Sequence, residues 1–458
     1  MKRNVLIAIA VLFVLFICQW ITLSPPFHWL FGWLIRPFIG ILISIVVVFS
    51  IIVIGGLIES NGSCTIMMGS LIAIIICIVA IFPVQNSYGT SLNDYFEPEN
   101  IGSRIPKIAS QRFEPYDIAK ETLRNEHKGG SETIIGDMDP AIVNGKFVWI
   151  APDVPNGTAS RYVNNTVGIY VETDDQQVQF TPQKFKCGED GNWTNGLAWQ
   201  LFAKKWWAEY PDPTYTTIDG KWHIIVPYVT YDIKFPLVWV PKWGGVMIVS
   251  PDCQIEDVTP EDAITDPRLK NSPFLYPAKL TTTYINAYGY RFGGLYNIIF
   301  NHQEEVDIPS LPGNNQMPYY LDTEWGPQWM IATQPKGSTS LSKIFWVDAH
   351  TGKWRIADYL GLGLVGPSSV QSIIKSKYQL FWDAYNILEP RPQVRTVDNK
   401  QVLYWMTTIA AQGSSRISFT TLVNVTNREE VVSFCTKASL NAWLANKGEP
   451  DNLSKCSE

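Results

Sequence analysis

The chain has 458 residues with a formal net charge of −6, and 46% of its residues are hydrophobic. This length leaves room for several domains, and the apolar content is high for a soluble protein. Residues 85–458 hold 33 Lys and Arg against 41 Asp and Glu, because Lys2, Arg3, Arg36 and Glu59 are the charged residues before them. This excess of acidic residues, without a stripe of clustered Lys and Arg, argues against nucleic acid as a partner.

The N-terminal region, residues 1–84, is predicted to contain three transmembrane helices. Residues 5–23, 38–58 and 65–84 are uncharged apolar runs, each of about the 20 residues that a helix needs to cross a hydrocarbon core. The first run could instead be a cleaved secretion signal. Its length, and the lack of a small-x-small cleavage site after it, favour a retained helix.

The basic residues near these runs predict the orientation. Lys2 and Arg3 favour a cytoplasmic N-terminus, and only Arg36 argues for the opposite direction. Three spans then place residues 85–458 outside the cytoplasm. We therefore expect an integral membrane protein, with the lipid bilayer as one partner.

Cysteines and glycosylation sequons agree with an extracytoplasmic location. Residues 85–458 contain an even number of cysteines, which are candidates for disulfides: Cys187, Cys253, Cys435 and Cys456. A Cys187–Cys253 bridge would close one module, and Cys435–Cys456 would tie down the C-terminus, but four cysteines allow three connectivities. Candidate glycosylation sites are Asn156, Asn164, Asn192, Asn424 and Asn452.

One hairpin pattern occurs four times. In each copy a strand beginning near a proline reaches a tight turn and returns as an aromatic-rich strand. The turns are Asn144-Gly145, Asp219-Gly220, Trp325-Gly326 and Asp398-Asn399. Asn-Gly and Asp-Gly accept the positive φ values of a two-residue type I′ turn. A further apolar strand follows each hairpin, starting near Gly168, Val246, Ile344 and Thr421.

An amphipathic helix is predicted before each hairpin, because apolar residues recur there at intervals of three and four. The fold class we predict is α+β: three transmembrane helices, then four tandem helix-plus-antiparallel-sheet modules of α-β-β-β order. The boundaries are a linker at 85–111, module 1 at 112–183, module 2 at 184–266, an enlarged module 3 at 267–362, and module 4 with the C-terminal tail at 363–458.

A helix across an antiparallel sheet, with a third strand ending in Val347-Asp348-Ala349-His350-Thr351-Gly352, resembles PepSY-like and cystatin-like modules. Only module 3 has the full ending. The resemblance implies extracytoplasmic binding or inhibitory modules, and it carries over no functional residue.

Motifs for cofactor or metal chemistry are weak. Gly361-x-Gly363-x-x-Gly366 has dinucleotide-binding spacing, but it joins two modules and Pro367 follows it. His302 precedes three carboxylates, Glu304, Glu305 and Asp307, which we interpret as a solvated turn rather than a metal site. We expect no catalytic residue, cofactor or metal. Asp and Glu pairs that come together only in the fold could still serve a glycosidase.

Tryptophan is over-used, with 18 in the chain. Trp207 and Trp243 are the candidates for contact with a partner, since exposed aromatic rings anchor protein interfaces and stack on sugars. The partners we expect are other subunits or copies of the chain, with glycan as a further possibility.

Three functions remain open from the sequence. The first is a non-enzymatic, membrane-anchored structural or binding protein. The second is a cell-envelope hydrolase acting on glycan or peptide. The third is an accessory subunit of a larger membrane complex, although its spans hold none of the ionisable residues that mark an ion pathway. The absence of a reactive residue repeated among the modules favours the first.

Overall fold

The computed structural model describes residues 82–458, with gaps at 111, 144, 174, 236–237, 314–315, 379, 454–455 and 457–458. In this part of the chain the fold is mostly β, with four sheets of five, four, seven and four strands. The helices are short and lie between the sheets.

The described helices, in chain order, are α1 (82–92), α2 (Tyr116–Glu126), α3 (Leu197–Lys204), α4 (Pro260–Thr265), α5 (Ala278–Asn286), α6 (Gly294–Tyr296), α7 (Pro367–Lys377) and α8 (Lys437–Leu444). The described strands are β1 (Glu99–Asn100), β2 (Ile108–Ser110), β3 (Thr133–Ile135), β4 (Asp139–Val143), β5 (Lys146–Pro155), β6 (Gly168–Thr173), β7 (Val178–Pro182), β8 (Thr214–Ile218), β9 (Lys221–Lys234), β10 (Val238–Val249), β11 (Ile255–Val258), β12 (Val306–Asp307), β13 (Tyr319–Thr323), β14 (Gly326–Pro335), β15 (Lys343–Asp348), β16 (Trp354–Asp358), β17 (Tyr385–Val397), β18 (Lys400–Ala411), β19 (Ile417–Asn424) and β20 (Val431–Phe434).

Each sheet is built around a four-stranded antiparallel meander in chain order: β4 to β7 in sheet 1, β8 to β11 in sheet 2, β13 to β16 in sheet 3 and β17 to β20 in sheet 4. The first two strands of each meander form a hairpin. Asp219 and Gly220 have φ values of 50° and 74°, and Asp398 and Asn399 have 48° and 60°. These are the left-handed conformations of a type I′ turn. In sheet 3, Thr323 pairs with Gly326, so Glu324 and Trp325 form that turn.

Sheet 1 and sheet 3 also recruit strands from outside their meanders. β3 pairs with the end of β5 in sheet 1. In sheet 3, β1 pairs in parallel with β16, β2 pairs with β13, and β12 pairs with β14. β1 and β2 lie within residues 85–111, so part of that segment is bound into the largest sheet.

The predicted fold class, an α+β chain on three transmembrane helices, is wrong for the described residues. They are mostly β-sheet, and each meander has a fourth strand that the α-β-β-β pattern lacks. These fourth strands, β7, β11, β16 and β20, have four or five residues. β7, β11 and β16 each carry two or more half-buried or exposed side chains. Short strands of this kind lack the apolar alternation that reveals a strand in sequence.

The prediction of an integral membrane protein is also corrected. Among residues 82–458, outside the gaps, there is no helix long and apolar enough to span a membrane. The predicted spans at 5–23 and 38–58 lie outside the described residues, as does 65–84 apart from its last three residues. The membrane anchor, the cytoplasmic N-terminus and the extracytoplasmic placement of 85–458 therefore have no support in the described structure.

β5 of sheet 1 is buried on both faces. Every residue of β5 after Lys146 is buried. Phe147 and Trp149 belong to the large core, where the Tyr116 ring of α2 packs edge-on against Trp149 with centroids 5.6 Å apart, whereas Val148 and Ile150 share a core with residues of sheet 2. A strand that is covered on both sides has a continuous run of apolar residues. β5 therefore lies between sheet 2 on one face and α2 on the other.

A buried ion-pair cluster connects sheet 4 to the segment before α2. Arg112 Nη2 lies 2.6 Å from Glu389 Oε1, and both side chains are almost fully buried. Arg391 Nη1 donates to the carbonyl of Arg112 at 2.6 Å. The Arg112 guanidinium also lies 4.4 Å from the ring centroid of Trp149 on β5. This cluster therefore ties sheet 4 to sheet 1.

Two disulfides are present. Cys187 is joined to Cys253, with Cα atoms 5.5 Å apart, and Cys435 is joined to Cys456. The first links the segment after sheet 1 to the turn between β10 and β11. The second ties the end of β20 to the C-terminal residues. These are the two pairings that would close module 2 and the C-terminal tail.

We predict that Glu389→Gln lowers the free energy of unfolding by about 3 kcal/mol, because it leaves the buried positive charges of Arg112 and Arg391 uncompensated. The measurement is urea denaturation. The control is Glu324→Gln, which removes the exposed ion pair with Arg104 at 2.7 Å and should cost less than about 1 kcal/mol. Equal losses in the two variants would contradict the proposed linking role of Glu389.

Candidate functional site

Four carboxylates from separate parts of the chain gather where sheets 1 and 2 meet. They are Asp137, Asp139, Glu189 and Asp212. Their proximity appears in their electrostatics: burial is the largest cause of a strongly raised pKa at Asp139, and the negative charges of the other three raise it further. Clustered carboxyl groups with displaced pKa values are typical of catalytic sites.

Local structure fixes the position of each group. Asp139 is the first residue of β4 and pairs with Ile150 on β5. Glu189 follows the disulfide-bonded Cys187 by two residues. Asp212 lies between two prolines directly before β8, and these fix the backbone φ at both neighbours. Asp139 is thus positioned by the start of a strand, Glu189 by a nearby disulfide, and Asp212 by a rigid turn.

The loop that carries Glu189 is closed and strained. The backbone N–H of Gly188 donates to Asn195 O at 3.1 Å, and that of Leu197 donates to Gly188 O at 2.9 Å. Within the loop, Asp190 and Trp193 have φ values of 57° and 52°. A bulky residue such as tryptophan rarely adopts this conformation. Strain of this kind concentrates at functional sites.

Glu189 is the strongest candidate for a proton donor. The residue is half-buried, and its Oε1 atom has almost no accessible surface and no hydrogen-bond partner among the described residues. The pKa of Glu189 is raised to about 8: burial is the largest cause, the Tyr215 hydroxyl lowers this pKa, and the charges of Asp137 and Asp190 raise it. Glu189 is therefore mostly protonated at neutral pH.

Asp212 titrates at lower pH. Burial is the main cause of its raised pKa, about 6. The positive charge of Lys279 on α5 lowers this pKa, and the charge of Asp137 raises it. At pH 7 the site therefore holds a protonated Glu189 and an ionised Asp212. Two carboxyl groups held in opposite protonation states are what general acid–base catalysis requires.

A cavity of about 460 Å³ lies beside this cluster, where sheets 1, 2 and 3 converge. Ile142 lines it from sheet 1, Tyr215 and Trp222 from sheet 2, and Asp322 and His350 from sheet 3. Its volume falls within the range of small-molecule sites. Tyr215 connects the cavity with the carboxylate cluster, since its side chain lines the cavity and its hydroxyl lowers the pKa of Glu189.

The aromatic residues predicted to contact a partner are in different environments. Trp207 is 44% exposed and packs edge-on against Trp206, with centroids 5.6 Å apart. Trp243 is half-buried; its Nε1 donates to Gly245 O at 3.0 Å, and its ring packs against Tyr276. No contact shows a partner at either residue, so their role stays a prediction.

The sequons differ in exposure. Asn156, Asn164 and Asn452 are exposed, whereas Asn192 and Asn424 are only 5% and 4% exposed. Asn424 also donates to Glu430 Oε2 at 2.8 Å. A glycan on either buried asparagine would require local unfolding, so the first three stay the candidates for modification.

His302 pairs with Glu305, with Nδ1 and Oε2 2.5 Å apart, and Lys336 Nζ lies 2.8 Å from the other oxygen of the same carboxylate. Across the described ranges, no group of three or more His, Cys, Asp or Glu side chains is placed to hold a metal ion.

No model of a protein family matches the chain, and no curated protein matches its sequence. Two solved structures are similar in part. A glycosyl hydrolase from Bacteroides ovatus has 9% identity, covers 66% of this chain and 69% of its own, and has a TM-score of 0.16. A putative glycosidase from Bacteroides thetaiotaomicron has 10% identity, covers 78% and 88%, and has a TM-score of 0.18.

The prediction that the chain is not an enzyme is corrected. The two similar structures are named as a glycosyl hydrolase and a putative glycosidase. At these TM-scores the likeness carries no argument about this chain. The carboxylates are the structural observation that bears on catalysis.

Sequence reasoning left the carboxylate cluster unassigned. Its members span 76 residues, from Asp137 to Asp212, and none belongs to a motif. Two local signals were available: the Pro-Asp-Pro sequence around Asp212, and the acidic pair Glu189 and Asp190 next to Cys187. Neither signal shows that the segments meet, because only the packing of sheet 1 on sheet 2 brings them together.

We predict that Glu189→Gln reduces the loss of stability between pH 4.5 and 8. The folded-state pKa of Glu189, about 8, lies above the ordinary glutamate pKa of 4.5, so its protonated form stabilises the fold at low pH, and this contribution is lost as the pH rises towards 8. Glutamine stays neutral throughout.

The measurement is urea unfolding at pH 5, 7 and 8.5, with Glu121→Gln on α2 as the control for loss of one partly exposed carboxylate. A pH profile in Glu189→Gln that matches both wild type and the control would show that Glu189 has an ordinary pKa.

Proposed function

We propose that the chain is a hydrolase that cleaves a glycosidic bond by general acid–base catalysis. Glu189 is the acid and Asp212 is the base. The observation that carries this proposal is the difference between their pKa values, about 8 and about 6, within one buried cluster. Neighbouring groups that titrate on either side of neutral pH divide the acid and base roles.

The reaction balances with these two groups. Glu189 donates its proton to the glycosidic oxygen as the bond from that oxygen to the anomeric carbon breaks. A water molecule forms the new bond to the anomeric carbon, and Asp212 takes a proton from this water. Transfer of the Asp212 proton to solvent and reprotonation of Glu189 restore the starting state.

The surroundings favour a saccharide over a peptide. The cavity beside the cluster combines the aromatic rings of Tyr215 and Trp222 with polar groups. Aromatic faces with scattered hydroxyl and amide groups suit a ring that has apolar faces and polar edges. A peptide substrate is the alternative that the same carboxylates could serve.

We predict a bell-shaped dependence of kcat/KM on pH, with limbs near pH 6 and 8 and a maximum near neutral pH. Below the lower limb Asp212 is protonated and cannot act as a base, and above the upper limb Glu189 has lost the proton that it must donate. Glu189→Gln and Asp212→Asn should each lower kcat by about 100-fold or more.

The assay uses the full chain with a panel of aryl glycosides, oligosaccharides and a casein digest, and detects released sugar ends or amines. Glu261→Gln, an exposed carboxylate on α4, is the control and should keep wild-type activity. Hydrolysis of casein alone would contradict the glycan assignment. Hydrolysis that survives both active-site substitutions would contradict the assignment of the acid and base.

A further inference from the structure

We propose that the three-sheet cavity, the 460 Å³ space between sheets 1, 2 and 3, is the binding site for a neutral saccharide unit of the substrate. This inference rests on the proposed function in calling the saccharide a substrate. Saccharide binding itself is independent of turnover. It assigns a class of ligand to a cavity whose lining residues take no part in the proposed acid–base step.

An unused buried hydroxyl indicates that a polar ligand belongs here. Ser272 lines the cavity and is only 4% exposed, and its Oγ has no hydrogen-bond partner among the described residues. Buried polar atoms without partners are rare, because each one costs the hydration that it has lost. A purely apolar ligand would leave this cost in place, whereas a sugar hydroxyl would remove it.

The groups around Ser272 are held in fixed positions. His350 Nε2 lies 2.8 Å from the carbonyl oxygen of Ser272 and donates to it, which leaves Nδ1 as an acceptor. The Tyr320 hydroxyl donates to the carbonyl of the next residue, Pro273, at 2.5 Å. The loop that carries Ser272 is therefore anchored to sheet 3, and the cavity wall is formed before a ligand arrives.

Trp222 provides an aromatic wall on a fixed backbone. The side-chain amide of Gln183 binds the backbone of Trp222, accepting from its N–H at 3.0 Å and donating to its carbonyl at 2.8 Å. The half-buried Trp222 side chain lines the cavity beside Tyr215. An indole next to hydroxyl and amide groups offers both the stacking surface and the hydrogen bonds that a sugar ring uses.

The charges of the lining favour a neutral ligand. Its ionisable groups are Asp322, His350 and the exposed Lys270. Burial raises the pKa of Asp322, which favours its uncharged form. An anionic ligand would call for several cations, and a cationic ligand for ionised carboxylates. This lining has one exposed lysine and a single carboxyl group.

The cavity also lies beside the carboxylate cluster. Tyr215 forms part of its wall, and the same residue's hydroxyl acts on Glu189. A saccharide in the cavity would therefore lie next to the proposed proton donor. A unit bound here would direct the neighbouring glycosidic bond towards the carboxylate cluster.

The test is isothermal titration of the full chain with maltose, cellobiose, lactose, xylobiose, mannobiose and diacetylchitobiose. It is carried out in wild type and in Glu189→Gln, which prevents turnover during the titration. We expect at least one disaccharide to bind with a Kd of about 1 mM or tighter. Binding of none of them at about 10 mM would overturn the proposal.

Two cavity variants locate the site: Ser272→Ala and Trp222→Ala. Each should weaken binding by about tenfold. Trp206→Ala, which removes an exposed indole outside the cavity, should stay within about twofold of wild type. Ser272→Ala removes a single oxygen atom, so it keeps the test valid if Trp222→Ala does not fold.

The outcomes separate this inference from the proposed function. Saccharide binding that the cavity variants weaken, in a protein that hydrolyses no glycoside, would keep the site and remove the hydrolase proposal. Hydrolysis that depends on Glu189, together with binding that the cavity variants leave unchanged, would overturn the cavity site alone.

Discussion

Burial of β5 on both faces is the constraint on which the candidate site depends. Alternate side chains of β5 contribute to two cores: Phe147 and Trp149 to the large core, and Val148 and Ile150 to the core shared with sheet 2. Unpaired polar groups are disfavoured along the covered part of such a strand, where Asp153 is paired with His127, because water reaches neither side. They collect instead at strand ends and in adjoining loops. Asp139, at the start of β4, therefore lies at the seam with sheet 2, where the segments that carry Glu189 and Asp212 end.

The same packing gives the carboxylates their chemistry. Removing water from a carboxyl group disfavours the charged form, which is why burial is the main cause of the raised pKa at Asp139, Glu189 and Asp212. The positive charge of Lys279 offsets part of that effect at Asp212, and so widens the difference between the pKa values of Asp212 and Glu189. Such a cluster destabilises the fold at neutral pH. The apolar cores on both sides and the Cys187–Cys253 disulfide beside Glu189 offset this destabilisation.

Local chemistry predicted some of this structure and long-range packing decided the rest. Asp219-Gly220 and Asp398-Asn399 form the two-residue turns that their preference for positive φ indicates. The third hairpin turns one residue earlier than the sequence suggests, at Glu324 and Trp325, because Gly326 takes a place in the ladder opposite Thr323. Where a turn lacks strong local preferences, strand pairing sets its position.

The candidate site lay beyond sequence reasoning for a physical reason. Glu189 and Asp212 are ordinary polar residues in their own segments, and their pKa values follow from desolvation that only the assembled sheets produce. The apolar runs before residue 82 had the opposite effect on interpretation. Their strong pattern led to the prediction of a membrane-anchored protein, whereas the described part of the chain is built of β-sheets.

Direct titration of the Glu189 carboxyl is the measurement that tests this account most closely. Infrared difference spectra of the wild-type protein against Glu189→Gln, recorded from pH 4 to pH 10, isolate the carbonyl stretch of that one protonated side chain. The account predicts that this band persists at pH 7 and disappears with a midpoint near pH 8, as burial between the sheets requires. A midpoint near the ordinary glutamate pKa of 4.5 would contradict it, because Glu189 would then have no proton to donate at neutral pH.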